Sequence, residues 1–146
     1  MTVAFSVREI ASRIEATLPG SVAESGDQHL AVKPEVLHEV CAFLKNTPEL
    51  DFNYLSFITA VDYYDHFELV YLLNSLEHNH SLTLKARLYD RQNPTISSVV
   101  ELWQGADFQE REIYDLFGIR FEGHPNLKRI FMWEGFEGHP LRKDFM

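Results

Sequence analysis

Apolar residues recur at spacings of three and four over the first third of the chain, and this period predicts two amphipathic helices. The first begins with a capping box of serine and glutamate at residues 6–9, and Pro19 stops it. The second runs from Pro34, which suits a first helical position, to about Lys45. Between the helices, two short runs flank residues 26–27 and predict a β-hairpin.

Three strand-like runs follow at residues 54–61, 67–74 and 81–89, and they are rich in aromatic, β-branched and leucine residues. The last run alternates apolar and polar side chains, which is typical of a sheet with one face on a core. Because the connections between the runs are short, we expect antiparallel neighbours. The order of elements predicts an α+β fold with helices on one face of a mostly antiparallel sheet.

Two further helix starts are indicated after the strands. Ser98 and Glu101 form a second capping box, which predicts a short helix through Trp103. Asp107 is expected to cap a helix of about three turns that ends at Gly118. Glycine suits this end because it adopts the left-handed conformation at little cost.

The composition is that of a globular domain and disfavours several functions. The apolar fraction is 45%, and no run of 18 apolar residues predicts a membrane span. A net charge of -9 is unlike that of a nucleic-acid-binding protein, which needs a basic face. The chain has one cysteine, Cys41, and its first residues do not resemble a signal peptide. We therefore expect a soluble protein in a reducing, intracellular compartment.

Charged residues cluster in the helix that ends at Gly118. The cluster comprises Glu110, Arg111, Glu112 and Asp115. Glu110 falls on the apolar stripe of the helix, where a carboxylate needs a cation or hydrogen-bond donors, and it can bond back to the N–H of Asp107. Arg111 lies four residues from both Asp107 and Asp115 and is expected to pair with either.

Catalytic and metal-binding roles are weaker interpretations of these residues. Glu110 and Glu112 are unsuited to a hydrolase pair, since residues two apart on a helix point in different directions. No nucleophile, phosphate-binding loop or cofactor motif accompanies them. His78 and His80 lie at a predicted turn, where polar residues are ordinary. The sequence therefore favours an interface, while an enzyme using Glu110, Glu112 and His124 and a free-standing binding module stay as alternatives.

The sequence divides into a domain at residues 1–118 and an extended arm at residues 119–146. The domain carries 8 basic and 18 acidic side chains, a net charge of -10, whereas the arm carries 5 and 4, a net charge of +1. The pentapeptide FEGHP occurs twice in the arm, at 121–125 and 136–140. In each copy the proline favours an extended conformation for the preceding histidine.

Apolar side chains in the arm follow no helical or strand period. Ordering such a segment costs about 1 to 2 kcal/mol per residue in backbone entropy, so the arm must cover an apolar surface. We expect much of this surface to belong to another subunit, with Arg129, Arg142 and Lys143 pairing across the contact.

The stretch EREIYDLFGIRFEGHPNLKRIF at 110–131, together with GHPLRKDF at 138–145, resembles the NADH-quinone oxidoreductase subunit designated C, the 30-kilodalton subunit of respiratory complex I. The family motif is an ERE triplet, an acid before two apolar residues, then a histidine, a basic residue and two apolar residues. Every motif position is met, by Glu110, Arg111, Glu112, Asp115, Leu116, Phe117, His124, Lys128, Ile130 and Phe131. The resemblance covers roughly residues 54–145 and, more loosely, the N-terminal part, with Phe108 standing where the family usually has tryptophan.

The resemblance implies a structural, non-catalytic subunit in the hydrophilic arm of a proton-translocating NADH:quinone oxidoreductase, peripheral on the cytoplasmic side of the cell membrane. Its partners would be subunits D and B, and flavin (FMN) and iron-sulfur clusters would lie in other chains. The equivalent subunit of a membrane-bound hydrogenase or another complex I-like dehydrogenase is the alternative within this class.

The resemblance also implies which residues contact the partners or set the geometry of the contact. They are Glu110, Arg111, Glu112, Asp115, Gly118, His124, Pro125, Lys128, Arg129, Pro140, Leu141, Arg142, Lys143 and Asp144.

Overall fold

The computed structural model describes residues 6–26, 29–77, 80–128 and 138–142. Its elements follow one another in this order: α1 (Val7–Thr17), β1 (Val22–Ser25), β2 (His29–Val32), a 3-10 turn (Pro34–Val36), α2 (Leu37–Asn46), β3 (Tyr54–Asp62), β4 (Phe67–Ser75), β5 (His80–Leu88), β6 (Thr95–Ser97), α3 (Ala106–Phe117) and β7 (Arg120–Glu122). The predicted elements up to residue 89 are therefore confirmed, with a 3-10 turn in place of the first turn of α2.

Five strands form one sheet in the order β1-β2-β5-β4-β3, and a separate pair joins β6 to β7. Neighbours in the large sheet are antiparallel except β2 and β5, which are parallel. On β4, every second side chain from Phe67 to Leu73 is fully buried, and the same alternation continues on β5 from Leu82 to Leu88. All three helices contribute side chains to this one core, which confirms the α+β fold.

Helix α1 begins as the capping box predicts. The N–H of Glu9 donates to the hydroxyl of Ser6 at 3.2 Å, which satisfies one of the N–H groups left open at a helix start. Ile10 and Ile14 are its buried side chains. No helix within the described ranges has both the length and the apolar character needed to cross a bilayer.

The predicted helix from Ser98 to Trp103 is wrong. This segment makes a single turn, in which the N–H groups of Leu102 and Trp103 both donate to the carbonyl of Val99. The Ser98 hydroxyl accepts from Val100 at 3.1 Å, while Glu101 pairs with His38 on α2 and so does not bond back to Ser98. We call residues 98–103 the serine turn.

Two other features depart from the sequence-based interpretation. Helix α3 begins at Ala106, and Gly105 precedes it without a side-chain cap, so Asp107 lies inside the first turn. Strand β7 pairs in parallel with β6, a pairing that the sequence did not predict. Residues 119–122, assigned by the sequence to the arm, belong to the packed domain, because Ile119 and Phe121 lie in its core.

Some predictions fall on residues outside the described ranges. These residues are Asp27 in the predicted hairpin turn, His78, and Arg129, Ile130, Phe131, Lys143 and Asp144 in the arm.

Candidate functional site

Helix α3 is held against edge strand β3 by apolar and polar contacts. Ala106, Ile113 and Phe117 are buried in the common core. The side-chain oxygen of Gln109 accepts a hydrogen bond of 2.6 Å from the N–H of Ile58 on β3. The helix ends at Gly118, which has φ 79° as predicted for a left-handed helix end.

Glu110 is fully buried on the core side of α3 and fastens the serine turn to the helix. Its carboxylate accepts from the Ser98 hydroxyl at 2.6 Å and from the Val99 N–H at 2.9 Å. Its position on the apolar stripe is confirmed, but its donors come from the serine turn, not from Asp107. Burial raises the pKa of Glu110 to about 7, and the two hydrogen bonds limit that rise.

Two more titratable side chains lie in the core near this carboxylate. Burial raises the pKa of the Cys41 thiol and the pKa of the Tyr71 phenol, and the negative charge of Glu110 raises both further. The Tyr71 hydroxyl is buried and has no hydrogen-bond partner within the described part of the chain. Cys41, as predicted, is a core residue.

His124 ties the first FEGHP pentapeptide to the first turn of α3. Its Nε2 lies 2.9 Å from the Asp107 carboxylate and 3.3 Å from the Asp107 carbonyl. Its Nδ1 accepts from the Asn126 N–H at 2.9 Å, so the ring proton sits on Nε2 and is donated to Asp107. The His124 side chain is completely buried, and it joins the β7 end of the chain to α3.

Arg111 holds the next part of the arm. Its Nε donates to the carbonyl of Lys128 at 3.3 Å, and it does so in place of the predicted pairing with Asp107 or Asp115. Asp107 and Arg111 are one helical turn apart and hold His124 and Lys128 in the same order, so the arm runs along one side of α3. Glu112 is half-buried and makes no hydrogen bond or ion pair within the described part of the chain.

Residues 138–142 return to the other end of α3. The Leu141 N–H donates to the Leu116 carbonyl at 2.9 Å, and the Arg142 guanidinium donates to the Phe117 carbonyl at 2.6 Å. His139 approaches the carbonyl of Asp115, a residue whose side chain is fully buried. Arg142, expected to pair with another subunit, thus contacts its own chain.

The predicted interface residues differ in their exposure. Glu110 and Asp115 are buried, and Arg111, Glu112, Gly118, His124, Pro140 and Arg142 are half-buried as whole residues. Pro125, Lys128 and Leu141 are exposed, with Leu141 at 53%. The exposed and half-buried residues lie along α3 and the arm, on the side away from the core.

Sequence reasoning missed several residues that shape this site. Asp62, nearly buried at the end of β3, pairs with Arg91 through two hydrogen bonds of 2.5 and 3.1 Å. The Arg91 guanidinium lies 4.5 Å from the centre of the Phe67 ring, and Arg142 lies 5.1 Å from the same centre. Asp62 and Arg91 are 29 residues apart in different predicted elements, so their spacing carried no sign of the contact.

Comparison with known proteins decides the family. Residues 30–146 match the family described as "Respiratory-chain NADH dehydrogenase, 30 Kd subunit". The chain belongs to this 30-kilodalton subunit family. The family resemblance is thereby confirmed, and the family is a subunit of an oxidoreductase complex of the respiratory chain.

Relatives of this chain in the 30-kilodalton subunit family occur in bacteria and in mitochondria. The NADH-quinone oxidoreductase subunit named C 2 in Rhizobium meliloti is 47% identical over 86% of this chain and 72% of its own length. The one named C in Roseiflexus castenholzii is 44% identical over 92% of this chain and 81% of its own. The mitochondrial NADH dehydrogenase [ubiquinone] iron-sulfur protein 3 of Candida albicans is 44% identical over 78% of this chain and 41% of its own.

A solved member of a respiratory membrane complex shares the fold of the 30-kilodalton subunit. A chain in the structure of the membrane-bound sulfane sulfur reductase, an archaeal respiratory membrane complex, matches with a TM-score of 0.71 and 27% identity. The match covers 95% of this chain and 85% of that one.

Proposed function

We propose that this chain is a structural, non-catalytic subunit of the hydrophilic arm of a proton-translocating NADH:quinone oxidoreductase. It docks through α3 and the arm on its partners, subunits D and B, at the cytoplasmic side of the cell membrane. Electrons pass from NADH to quinone through flavin and iron-sulfur clusters in other chains.

The observation that carries this proposal is that, in the part of the chain that the structure describes, some polar side chains of α3 are bonded to their own chain while others are not. The core-facing carboxylate of Glu110 is satisfied by its own chain, and Arg111 is engaged with the arm. By contrast, Glu112 makes no hydrogen bond or ion pair within the described residues, and Lys128 is exposed in the arm. A helix that is bonded to its own chain on one side, with polar side chains of the helix and the arm left exposed or without a bonded partner among the described residues beside it, suits recognition by another protein.

The arrangement of acids argues against an active site at this helix. An open groove of about 740 Å³ is lined by Lys33, Pro34, Arg87 and Tyr89 among others, and by no residue of α3. Glu110, Glu112 and His124 do not converge on it. The side chain of His124 is buried against Asp107, where it organises the arm and does not face a substrate cavity.

The cysteine content supports a chain without an iron-sulfur cluster of its own. A cluster is usually held by four cysteine thiolates, whereas this chain has Cys41 alone. Cys41 is buried, and its raised pKa keeps the thiol protonated. The residues present therefore do not fit a cluster, although the Candida albicans relative carries "iron-sulfur protein" in its name.

The structural and catalytic hypotheses predict opposite outcomes for two neighbouring substitutions. We expect Arg111→Ala to release Lys128 and reduce incorporation of the chain into the complex. Glu112→Gln, in contrast, should leave the NADH:quinone turnover of each assembled complex unchanged. The measurement is the amount of assembled complex on native gels, followed by turnover per complex. Normal assembly with lost turnover in Glu112→Gln would support the catalytic hypothesis instead.

A further inference from the structure

All four carbonyls at the end of α3 have donors, although the last four carbonyls of a helix have no partner within the helix. The Tyr114 carbonyl accepts from Gly118 at 2.9 Å, within the usual glycine helix end. The other three accept from distant residues, His139 Nδ1 at 2.9 Å, the Leu141 N–H at 2.9 Å and Arg142 Nε at 2.6 Å. We call residues 138–142, which supply these donors, the strap.

Gly118 is required by the strap as well as by the helix. Its φ of 79° is unfavourable for any residue with a side chain. In addition, a Cβ at this position would lie 2.7 Å from Cδ2 of the His139 ring, closer than nonbonded carbon atoms approach. Gly20, just after α1, has φ 81° and nothing within 4 Å of such a Cβ. The two glycines have the same left-handed conformation, but of the two only Gly118 is a position where an added side chain would collide with the strap.

The Arg142 side chain holds the strap against the core. Its guanidinium lies 5.1 Å from the centre of the fully buried Phe67 ring and donates to the Arg91 carbonyl at 3.3 Å as well as to the Phe117 carbonyl. A cation at this place also interacts favourably with the negative end of the helix dipole. The side chain thus joins the end of α3 to the start of β4 and to the loop after β5.

The histidines of the two FEGHP pentapeptides contact opposite ends of the same helix. His124 of the first copy bonds to Asp107 in the first turn of α3, and His139 of the second bonds to the Asp115 carbonyl in the last. The glycine before each histidine has a positive φ, 87° at Gly123 and 90° at Gly138. The repeat therefore has a shared use: each copy makes a glycine–histidine–proline turn that holds one end of α3.

We propose that the strap is an intramolecular closure, which forms in the free chain and fixes Arg142 at the end of α3. The strap turns its backbone and Arg142 towards α3 and leaves the Leu141 side chain 53% exposed. This inference goes beyond the docking role, because the donors and acceptors involved all lie in one chain. It also differs from the sequence-based expectation that Arg142 pairs with another subunit.

Amide hydrogen exchange of the full chain alone, followed by NMR, tests the closure. We expect the Leu141 amide to be protected and Gly118→Ala to accelerate its exchange by about tenfold or more. Gly20→Ala is the matched control, which should leave Leu141 protection unchanged. The Leu18 amide, bonded to the Ile14 carbonyl, reports whether α1 stays folded. An unprotected Leu141 amide in the unmodified chain, or equal protection in Gly118→Ala, would overturn the proposal.

A second pair of variants covers the case in which Gly118→Ala does not fold. Arg142→Ala removes the guanidinium without strain in the backbone, and we expect exchange of the Leu141 amide to accelerate by about tenfold. Arg8→Ala removes one positive charge from the exposed face of α1 and should leave that amide unchanged. Equal Leu141 protection in both variants would overturn the closure. Since no other subunit is present, these outcomes do not depend on the docking function.

Discussion

At the scale of single residues, Glu110 shows how far the sequence reaches. The spacing of apolar residues along α3 placed this carboxylate in the core and required donors for it. It did not identify the donors, because Ser98 and Val99 belong to a turn whose shape depends on the same contact. A polar residue on an apolar stripe is therefore predictable from periodicity, and its partners are not.

The pKa of Glu110 makes the stability of the protein depend on pH. In the folded chain the carboxyl stays protonated up to a pKa of about 7, whereas its ordinary value is 4.5. The folded state thus binds more protons between these values, and stability falls as the pH rises through this window. We expect the free energy of unfolding to fall by roughly 2 to 3 kcal/mol between pH 5 and 8 relative to Glu110→Gln, whose side chain does not titrate.

Urea unfolding at several pH values measures this difference. The control is Glu112→Gln, which removes a half-buried carboxylate of the same helix that makes no hydrogen bond within the described residues. It should keep the pH profile of the unmodified chain. Parallel profiles for Glu110→Gln and the unmodified chain would show that burial of Glu110 does not govern the pH dependence.

At the scale of elements, a hydrophobic period that extends over several residues predicted the type of element correctly. Short elements, which show no such period, were not predicted. The alternation in β5 and the apolar stripe of α1 gave the correct element type, because each extends over several residues. Strands β6 and β7 have three residues each and pair in parallel across the chain, so neither shows a period. The capping box at Ser98 failed because its hydroxyl serves Glu110 and Val100.

The contact between α3 and β3 offers a prediction at this scale. The side-chain oxygen of Gln109 accepts a hydrogen bond from the N–H of Ile58 on the edge strand β3. Gln109→Ala should lower the free energy of unfolding by about 1 kcal/mol, because it leaves this backbone donor without its partner. Chemical denaturation measures the loss, and Gln104→Ala, at an exposed residue of the preceding turn, should have no measurable effect. Equal stability of both variants would mean that the Gln109 bond contributes nothing.

At the scale of the whole molecule, α1 and β1 precede the family match at residues 30–146 but share one core with it. The charge contrast between the domain and the arm was visible in the sequence. The path of the arm along α3 was not, since it depends on contacts such as Arg111 with the Lys128 carbonyl. A segment without regular secondary structure has no hydrophobic period, so its path cannot be predicted from the sequence pattern.

Removal of residues 138–146 tests how much this part of the arm contributes to the stability of the fold. The truncated chain should retain its five-stranded sheet, because the described contacts of the strap are with the end of α3, the Phe67 ring and the Arg91 carbonyl and not with the hydrogen bonds between strands. It should lose about 2 to 4 kcal/mol of stability, since three hydrogen bonds to α3 disappear. Circular dichroism and urea unfolding provide the two readouts. A chain that unfolds completely on truncation would contradict this local role.

Purification of the native assembly through an affinity tag on this chain tests whether it is a subunit of an NADH:quinone oxidoreductase. We expect a membrane particle that contains NADH-binding and quinone-module subunits, carries flavin and iron-sulfur clusters, and transfers electrons from NADH to quinone. Recovery of the tagged chain as a lone monomer, or on a nickel-iron hydrogenase without an NADH-binding subunit, would contradict it.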